Sequence, residues 1–461
     1  MTHTMRILDP ADGSLVGEID AAGPAQVDDA VATAVKATTS WARTSPAARA
    51  ALVHEVADRL AEHADELARW TTREMGKPLA DARGGVDAGI STLRQYAELG
   101  PLHRGRSLQG NWDATDLMVF EPRGVVAAIT PWNDPVAVPC GLLGAALVAG
   151  NTVVFKPSER TPHAGAALGK ILADVLPPGV VSTVLGDGSA GADLAGHEGV
   201  DLVAHVGSTA TGRAIAESAA RNGTKVLLEN GGNDPLIVDE GVDPVWAAEQ
   251  AALGAFANAG QICTSVERIY VTERNADAFL AALTKSAEQL VMGPGLDSDT
   301  DLGPLVDDRL RTTVHDQVRA ALDAGATALT GGAVPDGPGT FYPATVLTGC
   351  TGSMDVMREE TFGPVAPVEV VADFETALEA ASSGGYGLAA VVLTDRMDHA
   401  QQAWRQLPVG TVKVNAAFGG APGGAAQPRG ASGSGFGYGP ELLDEMTTTK
   451  VVHLGTAPRS S

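Results

Sequence analysis

Between about Gly124 and Leu228, five short apolar runs alternate with helix-length segments: Val125 to Ile129, Thr152 to Phe155, Val181 to Leu185, Leu202 to Val206, and Val226 to Leu228. Continuous apolar runs of this length suit strands buried on both faces, and the helix-length spacers suit βαβ crossovers, so the pattern predicts a parallel sheet covered by helices. In a doubly wound sheet ligands collect at the carboxyl ends of the strands. The segments to inspect are therefore Thr130 to Pro135, Lys156 to Glu159, Gly186 to Gly188 and Gly207 to Gly212.

The rest of the chain is organised around that sheet. From Gln26 to Leu99 apolar residues recur at three and four, as in Val53, Val56, Leu60 and Leu67, which predicts successive amphipathic helices. After Gly231 a second set of runs (Leu236 to Val238, Ile269 to Val271, Ala389 to Leu393, Val412 to Asn415) predicts a second α/β domain. Gly419 to Gly439 is too rich in Gly, Ala and Pro for a regular element and is either a linker or a site loop. A length of 461 residues exceeds one ordinary core. No fixed-period repeat or coiled-coil heptad is present.

Composition narrows the function. The balance of 32 Lys+Arg against 56 Asp+Glu, a net charge of -24, repels the phosphates that dominate nucleic-acid affinity. No apolar run is long enough to span a bilayer, and MTHTMRILDP lacks a signal-peptide core, so a cytoplasmic protein with no membrane partner is expected. Cys140, Cys263 and Cys350 are widely spaced and odd in number, which suits a reducing compartment without a disulfide framework or a CxxC metal pair, and no metal is expected.

Three residues carry candidate chemistry on their own surroundings. Cys263 lies in FANAGQICTSVER, where small and polar neighbours after a Gly-Gln turn can expose a thiolate, although a lone cysteine is commonly a buried hydrophobe. Glu229 ends an apolar run just before Gly231-Gly232 and can present a carboxylate to a cleft. Asn133, in AAITPWNDP, could donate its amide to a developing oxyanion or simply form a turn beside two prolines.

EPRGVVAAITPWN, GNTVVFKPSE, GSTATG, LENGG, NAGQIC and EETFGPV follow one another in the order and approximate spacing of the aldehyde dehydrogenase superfamily, and this resemblance covers nearly the whole chain. It implies an α/β fold with a Rossmann-like cofactor domain (1–107 and 124–230), an α/β catalytic domain (231–439) and a small β oligomerisation arm (108–123 and 440–461). It also implies oxidation of a small-molecule aldehyde to the acid: Cys263 would attack the carbonyl, Asn133 and the Cys263 N–H would hold the oxyanion, and Glu229 would activate water against the thioester. Asn230 stands where leucine is usual, but the Glu229 carboxylate is retained.

The resemblance extends to cofactor contacts at Thr130, Trp132, Lys156, Glu159, Gly207, Ser208, Glu360 and Phe362. A carboxylate at Glu159 favours NAD over NADP; Glu359 is the competing register for Glu360. His205-Val206 stands where a Phe-Thr-like pair is common, and His205 is read as a packing residue rather than a base. Arg268 is read as structural rather than as an anion clamp. Among expected tunnel-lining residues, Asp134 replaces an aromatic and could attract a cationic aldehyde or cap the next helix, with Pro135 in that helix's first turn. Arg429 replaces another aromatic and could hold an anionic substrate; the Ala- and Gly-rich stretch from Asn415 to Pro428 leaves room for a bulky or polar one. The arm implies a homo-oligomer, dimer or tetramer, in which one subunit extends the sheet of another. Two other readings stand beside this one: a dehydrogenase acylating coenzyme A, which would not need Glu229, and a catalytically silent binding protein of the same fold.

Overall fold

The computed structural model describes residues 3–420 and 424–457; residues 421–423 of the Gly-rich stretch and 458–461 of the tail lie outside them. The chain opens with an antiparallel hairpin of β1 (Thr4–Leu8) and β2 (Leu15–Asp20). Four helices follow: α1 (Pro24–Arg43), α2 (Pro46–Glu62), α3 (Ala64–Met75) and α4 (Leu79–Leu99). Their apolar residues recur every three or four positions, so α1 buries Val27, Val31, Ala34 and Trp41, and α2 buries Val53, Val56 and Leu60. Proline in the first turn of α1 and α2 falls where a missing N–H costs nothing.

β3 (Arg106–Leu108) and β4 (Thr115–Pro122) precede the strand-helix alternation that the apolar runs predict: β5 (Val125–Ile129), α5 (Ala137–Ala149), β6 (Thr152–Lys156), α6 (Pro162–Val175), β7 (Val181–Thr183), α7 (Gly188–Ala195), β8 (Leu202–Val206), α8 (Thr209–Ala220) and β9 (Lys225–Glu229). The second alternation holds β10 (Asp234–Val238), α9 (Pro244–Phe256), β11 (Val266–Thr272), β12 (Thr327–Thr330), β13 (Thr345–Thr348), β14 (Val365–Val371), β15 (Ala389–Leu393) and β16 (Thr411–Val414). The short β17 (Gly433–Ser434) and the long β18 (Thr447–Leu454) close the chain.

These strands make an α/β fold with two largely parallel sheets. One has the order β17-β9-β8-β5-β6-β7 and the other β12-β13-β14-β11-β10-β15-β16; only β17 and β12 run antiparallel to their neighbours. Each sheet has its own apolar packing, with Val126, Phe155 and Leu202 in one core and Leu236, Ile269 and Val391 in the other. β18 pairs along all eight residues with β4, and with β3 they form a separate three-stranded sheet. In the first sheet β5 is the innermost of the sequence-first strands, with β6 and β7 on one side and β8 and β9 on the other. The crevice outside β5 and β8 is thus the topological switch point.

Candidate active site

The loop that carries Cys263 is shaped by backbone that only a few residues tolerate. After α9, Asn258 and Ala259 take positive φ of 51° and 54°, followed by Gly260 at 73°. A side chain at Gly260 would meet the Gly363 carbonyl at 2.1 Å, so glycine is required there. Gln261 then fixes the turn from within: its Nε2 donates to the Asn258 carbonyl at 3.0 Å and its Oε1 accepts from Val306 N at 2.9 Å. Two residues further on, Cys263 is partly exposed and its backbone N–H makes no backbone hydrogen bond among the described residues. Cys140 and Cys350 are buried, and all three cysteines are free.

Asn133 reaches this loop from the end of β5. Its Nδ2 donates to the Gln261 carbonyl at 2.9 Å, which ties the amide to the loop carrying the thiol and leaves its second N–H available. Glu229 ends β9, beside the Gly-rich stretch: Gly433 pairs with it in register, and Gly437 N donates to its Oε1 at 2.9 Å. A Cβ at Gly437 would stand 2.2 Å from Glu229 Cγ. The Gly-rich segment is therefore a site loop and not a linker, with glycine demanded by its close approach to this carboxylate. Burial pushes Glu229 up to about 8.

The Cys263 thiol is pushed up to about 12, first by burial and then by the negative charge of Asp234, Glu229 and Glu360. Glu360 itself is raised to about 7 by burial; its Oε1 accepts from Gly232 N at 3.0 Å, and a Cβ at Gly231 would collide with its carboxylate. Glu359 is exposed and only its carbonyl enters the site, accepting from Asn233 Nδ2, so Glu360 is the carboxylate that faces the glycines. Glu267, buried on β11, accepts from Thr361 N and Phe362 N and holds Phe362 at a positive φ of 53°. The Phe362 ring packs edge-on against Trp132 with centroids 5.5 Å apart, which joins the loop after β5 to this segment.

On the other side of the switch point, Lys156 ends β6 with its Nζ bonded to the Pro157 carbonyl and 3.8 Å from the half-exposed Glu159. Gly207 and Ser208 begin α8, where Ser208 caps Thr211 N and the first-turn N–H groups point out of the helix. Thr130 Oγ1 is buried without a hydrogen-bond partner among the described residues. A glycine-led helix start with free N–H groups fits an anionic ligand.

The two specificity candidates differ. Asp134 accepts from Ala137 N at the start of α5 and pairs with Lys77 Nζ at 3.2 Å, so its charge is engaged on both sides, while the cap position of α5 itself is Val136. Pro135 lies ahead of that helix, which starts at Ala137, and not in its first turn; the backbone turns once more, with Asp134 bonding the first helical N–H, before the helix sets in. Arg429 is exposed, and its guanidinium makes no hydrogen bond or ion pair among the described residues. Arg268 is fully engaged by main chain, donating to the carbonyls of Asn233, Ser383 and Ala381 at 2.8–3.0 Å, which is a structural tie. Gln261, Glu267, Lys77 and Gly437 were not signalled by any motif; only the Gly-Gln turn ahead of Cys263 hinted at the first.

Over residues 1–452 the sequence matches the aldehyde dehydrogenase family. It is 40% identical to a 3,6-anhydro-alpha-L-galactose dehydrogenase of Streptomyces coelicolor, over 90% of this chain and 85% of that protein. It is 35% identical to a betaine aldehyde dehydrogenase of Cereibacter sphaeroides, over 98% and 94%. Its fold superposes with a TM-score of 0.96 on a betaine aldehyde dehydrogenase of Staphylococcus aureus solved with NAD+, at 32% identity, covering 99% of this chain and 92% of that one. With the Cys263 loop, the Glu229 carboxylate and the Asn133 amide brought together, the chain belongs to the aldehyde dehydrogenase family.

Proposed function

We propose that this protein oxidises an aldehyde to the carboxylic acid with NAD, through a covalent intermediate on Cys263. The observation that carries the reading is the Asn133 amide bonded to the Gln261 carbonyl, two residues before the cysteine, with the Cys263 N–H free beside it. Together they make a two-donor cradle for an oxyanion. The thiol gives its proton to Glu229, the S–C bond forms at the aldehyde carbon, and the carbonyl oxygen becomes the oxyanion held by Asn133 Nδ2 and Cys263 N. NAD supplies the hydride acceptor. Glu229 passes the thiol proton on to solvent, and on the resulting thioester it takes a proton from water as the water oxygen attacks; the C–S bond breaks and the leaving thiolate takes this proton back from Glu229, which restores the thiol.

The residues suit the dinucleotide: Gly207 and Ser208 open a helix start to the pyrophosphate, Lys156 and Glu159 meet the adenosine ribose, and Thr130, Trp132, Glu360 and Phe362 line the path toward Cys263. The division into a cofactor unit (1–107 and 124–230), a catalytic unit (231–439) and an arm belongs to the same reading, with the strand at 433–434 contributed to the cofactor sheet. Leu108, Val451 and Leu454 are exposed on the three-stranded sheet, which supports a homo-oligomer built on that sheet. No helix among the described residues is long and apolar enough to cross a membrane, and three free thiols suit a cytoplasmic setting.

For the substrate, the Asp134–Lys77 pair removes the charge that would select a cation, and Arg429 is not directed by any partner. A neutral polar aldehyde is the reading this supports, in keeping with the sugar-derived substrate named for the 40% identical relative. The test is NADH absorbance with neutral hydroxylated, quaternary-ammonium and ω-carboxylate aldehydes, with Cys263→Ala as control and coenzyme A present or absent. Turnover in the control sinks the covalent reading, a coenzyme A requirement sinks the hydrolytic one, and preference for a charged aldehyde sinks the substrate assignment.

A further inference from the structure

His205, the penultimate residue of β8, is in register with Ile129 of β5, and Ile129 is in register with Lys156 of β6. Residues paired across parallel strands share a face, so Lys156, Ile129 and His205 stand in one row at the switch point. The face is the one covered by α1, α7 and α8: Ile129 packs with Val27, Leu194 and Ile215, and the Lys156 stem runs 3.5 Å from where a Cβ on Gly191 of α7 would be. Val206, the next residue, points to the opposite face in register with Glu229. His205 is thereby separated by the sheet from the catalytic carboxylate.

The imidazole is 3% exposed, and neither ring nitrogen has a hydrogen-bond partner among the described residues. The main chain of Ile129 and Ser208 comes near it without completing a bond of good geometry, and burial lowers the ring to about 4, so it is neutral near pH 7 and carries one N–H donor. The ring lies directly beneath the start of α8: a Cβ on Gly207 would be 2.7 Å from its Cε1 and 2.9 Å from its Nε2. An apolar ring would satisfy a packing role here at no polar cost, whereas a buried imidazole left unpaired is a standing penalty. The orphaned imidazole, under the glycine start of α8 and in one row with Ile129 and Lys156, points to a ligand that pairs it.

We propose that His205 is a dinucleotide-binding residue, whose ring N–H donates to an oxygen of the adenosine half, ribose hydroxyl or adjoining phosphate, lying over Ile129 between His205 and Lys156. This goes beyond the packing role expected from sequence and rests on the NAD reading of the site. The side of the sheet decides which half of the dinucleotide it meets, because the residues that face Cys263 lie on the other.

The experiment is calorimetric titration of the full-length protein and of H205F, H205M and H205N with NAD, and with AMP and nicotinamide mononucleotide as half-molecule probes. H205F and H205M lack the donor and H205N keeps one. The expected result is a roughly tenfold weaker Kd for NAD and for AMP in H205F and H205M, as for loss of one paired buried donor, partial recovery in H205N, and no change for nicotinamide mononucleotide. KM for NAD rises in step. Binding of NAD and AMP by both donor-free variants within twofold of wild type, or more tightly, overturns the proposal. So does an equal loss on both half-molecules with a lowered melting temperature, which is collapse of the loop. Failure of the wild-type protein to bind NAD at all would instead remove the cofactor reading.

Discussion

Replacing Glu229 by Gln keeps the shape of the side chain and its acceptor oxygen for Gly437 N but removes the ionisable group. With Glu229 raised to about 8, about one-tenth of it is ionised at pH 7 and about nine-tenths at pH 9, since each unit is a tenfold ratio. If hydrolysis of the thioester limits turnover, the wild-type rate climbs about tenfold across that interval. In E229Q the steady-state rate falls by about a hundred- to ten-thousandfold, the usual worth of a positioned base, and the climb disappears. Stopped-flow NADH absorbance separates the steps: slow deacylation leaves acyl-enzyme to accumulate, so E229Q shows a burst near one NADH per site followed by a slow phase. An E229Q enzyme that keeps the wild-type pH limb, or that loses burst and steady state together, refutes the assignment of Glu229 to water activation. The same burial has a sign in stability. A carboxyl whose folded value lies above its usual 4.5 contributes stability below that value and loses it as pH rises through about 8, so this part of the alkaline loss of thermal stability is absent from E229Q.

Asn133→Ala removes one of the two oxyanion donors and should lower kcat by about a hundred- to a thousandfold with the melting temperature nearly unchanged, measured by steady-state kinetics beside a circular-dichroism melt. Arg268→Ala leaves the carbonyls of Asn233, Ser383 and Ala381 unpaired in the core and should cost about 3–5 kcal/mol in chemical denaturation. A substrate clamp at Arg268 would instead raise KM for anionic aldehydes without loss of stability.

The parts of the fold legible in the sequence are those where burial leaves a one-dimensional signature. Val125 to Ile129 and Leu202 to Val206 coincide with their strands because a strand buried on both faces is a continuous apolar run with a Gly, Asp or Thr boundary. The strands Thr327–Thr330 and Thr345–Thr348 escaped because TALT and TVLT are too short and mixed to stand out, and Val365–Val371 because Pro367 argues against a central strand. The candidate residues stand out in the sequence where a motif follows or ends a strand, as at Asn133 and Glu229, or sits on a glycine turn, as at Cys263. Their partners do not stand out where they come from elsewhere in the chain. Gly437 reaches Glu229 across 208 positions and Lys77 reaches Asp134 across 57, and no local pattern encodes such meetings. The unpaired nitrogens of His205 are hidden from the sequence for a related reason, since they exist only once the surroundings are folded.

The carboxyls around the thiol bear on when the cysteine reacts. Asp234 and Glu267 are buried and held well above the usual carboxylate range, Glu360 is raised to about 7, and Glu229 to about 8. Negative charge on Asp234, Glu229 or Glu360 raises the Cys263 thiol, because like charge opposes formation of the thiolate. Lys413 is the cation whose charge is felt by both Asp234 and Cys263, and its own burial draws it below the usual lysine range, so it offsets this only in part. Burial and the surrounding carboxyls therefore favour Cys263 as the thiol, the form slow to alkylate and oxidise. Reactivity then depends on coupling proton loss to a base within the same cluster, and a raised Glu229 is better matched to a raised thiol than an ordinary carboxylate would be.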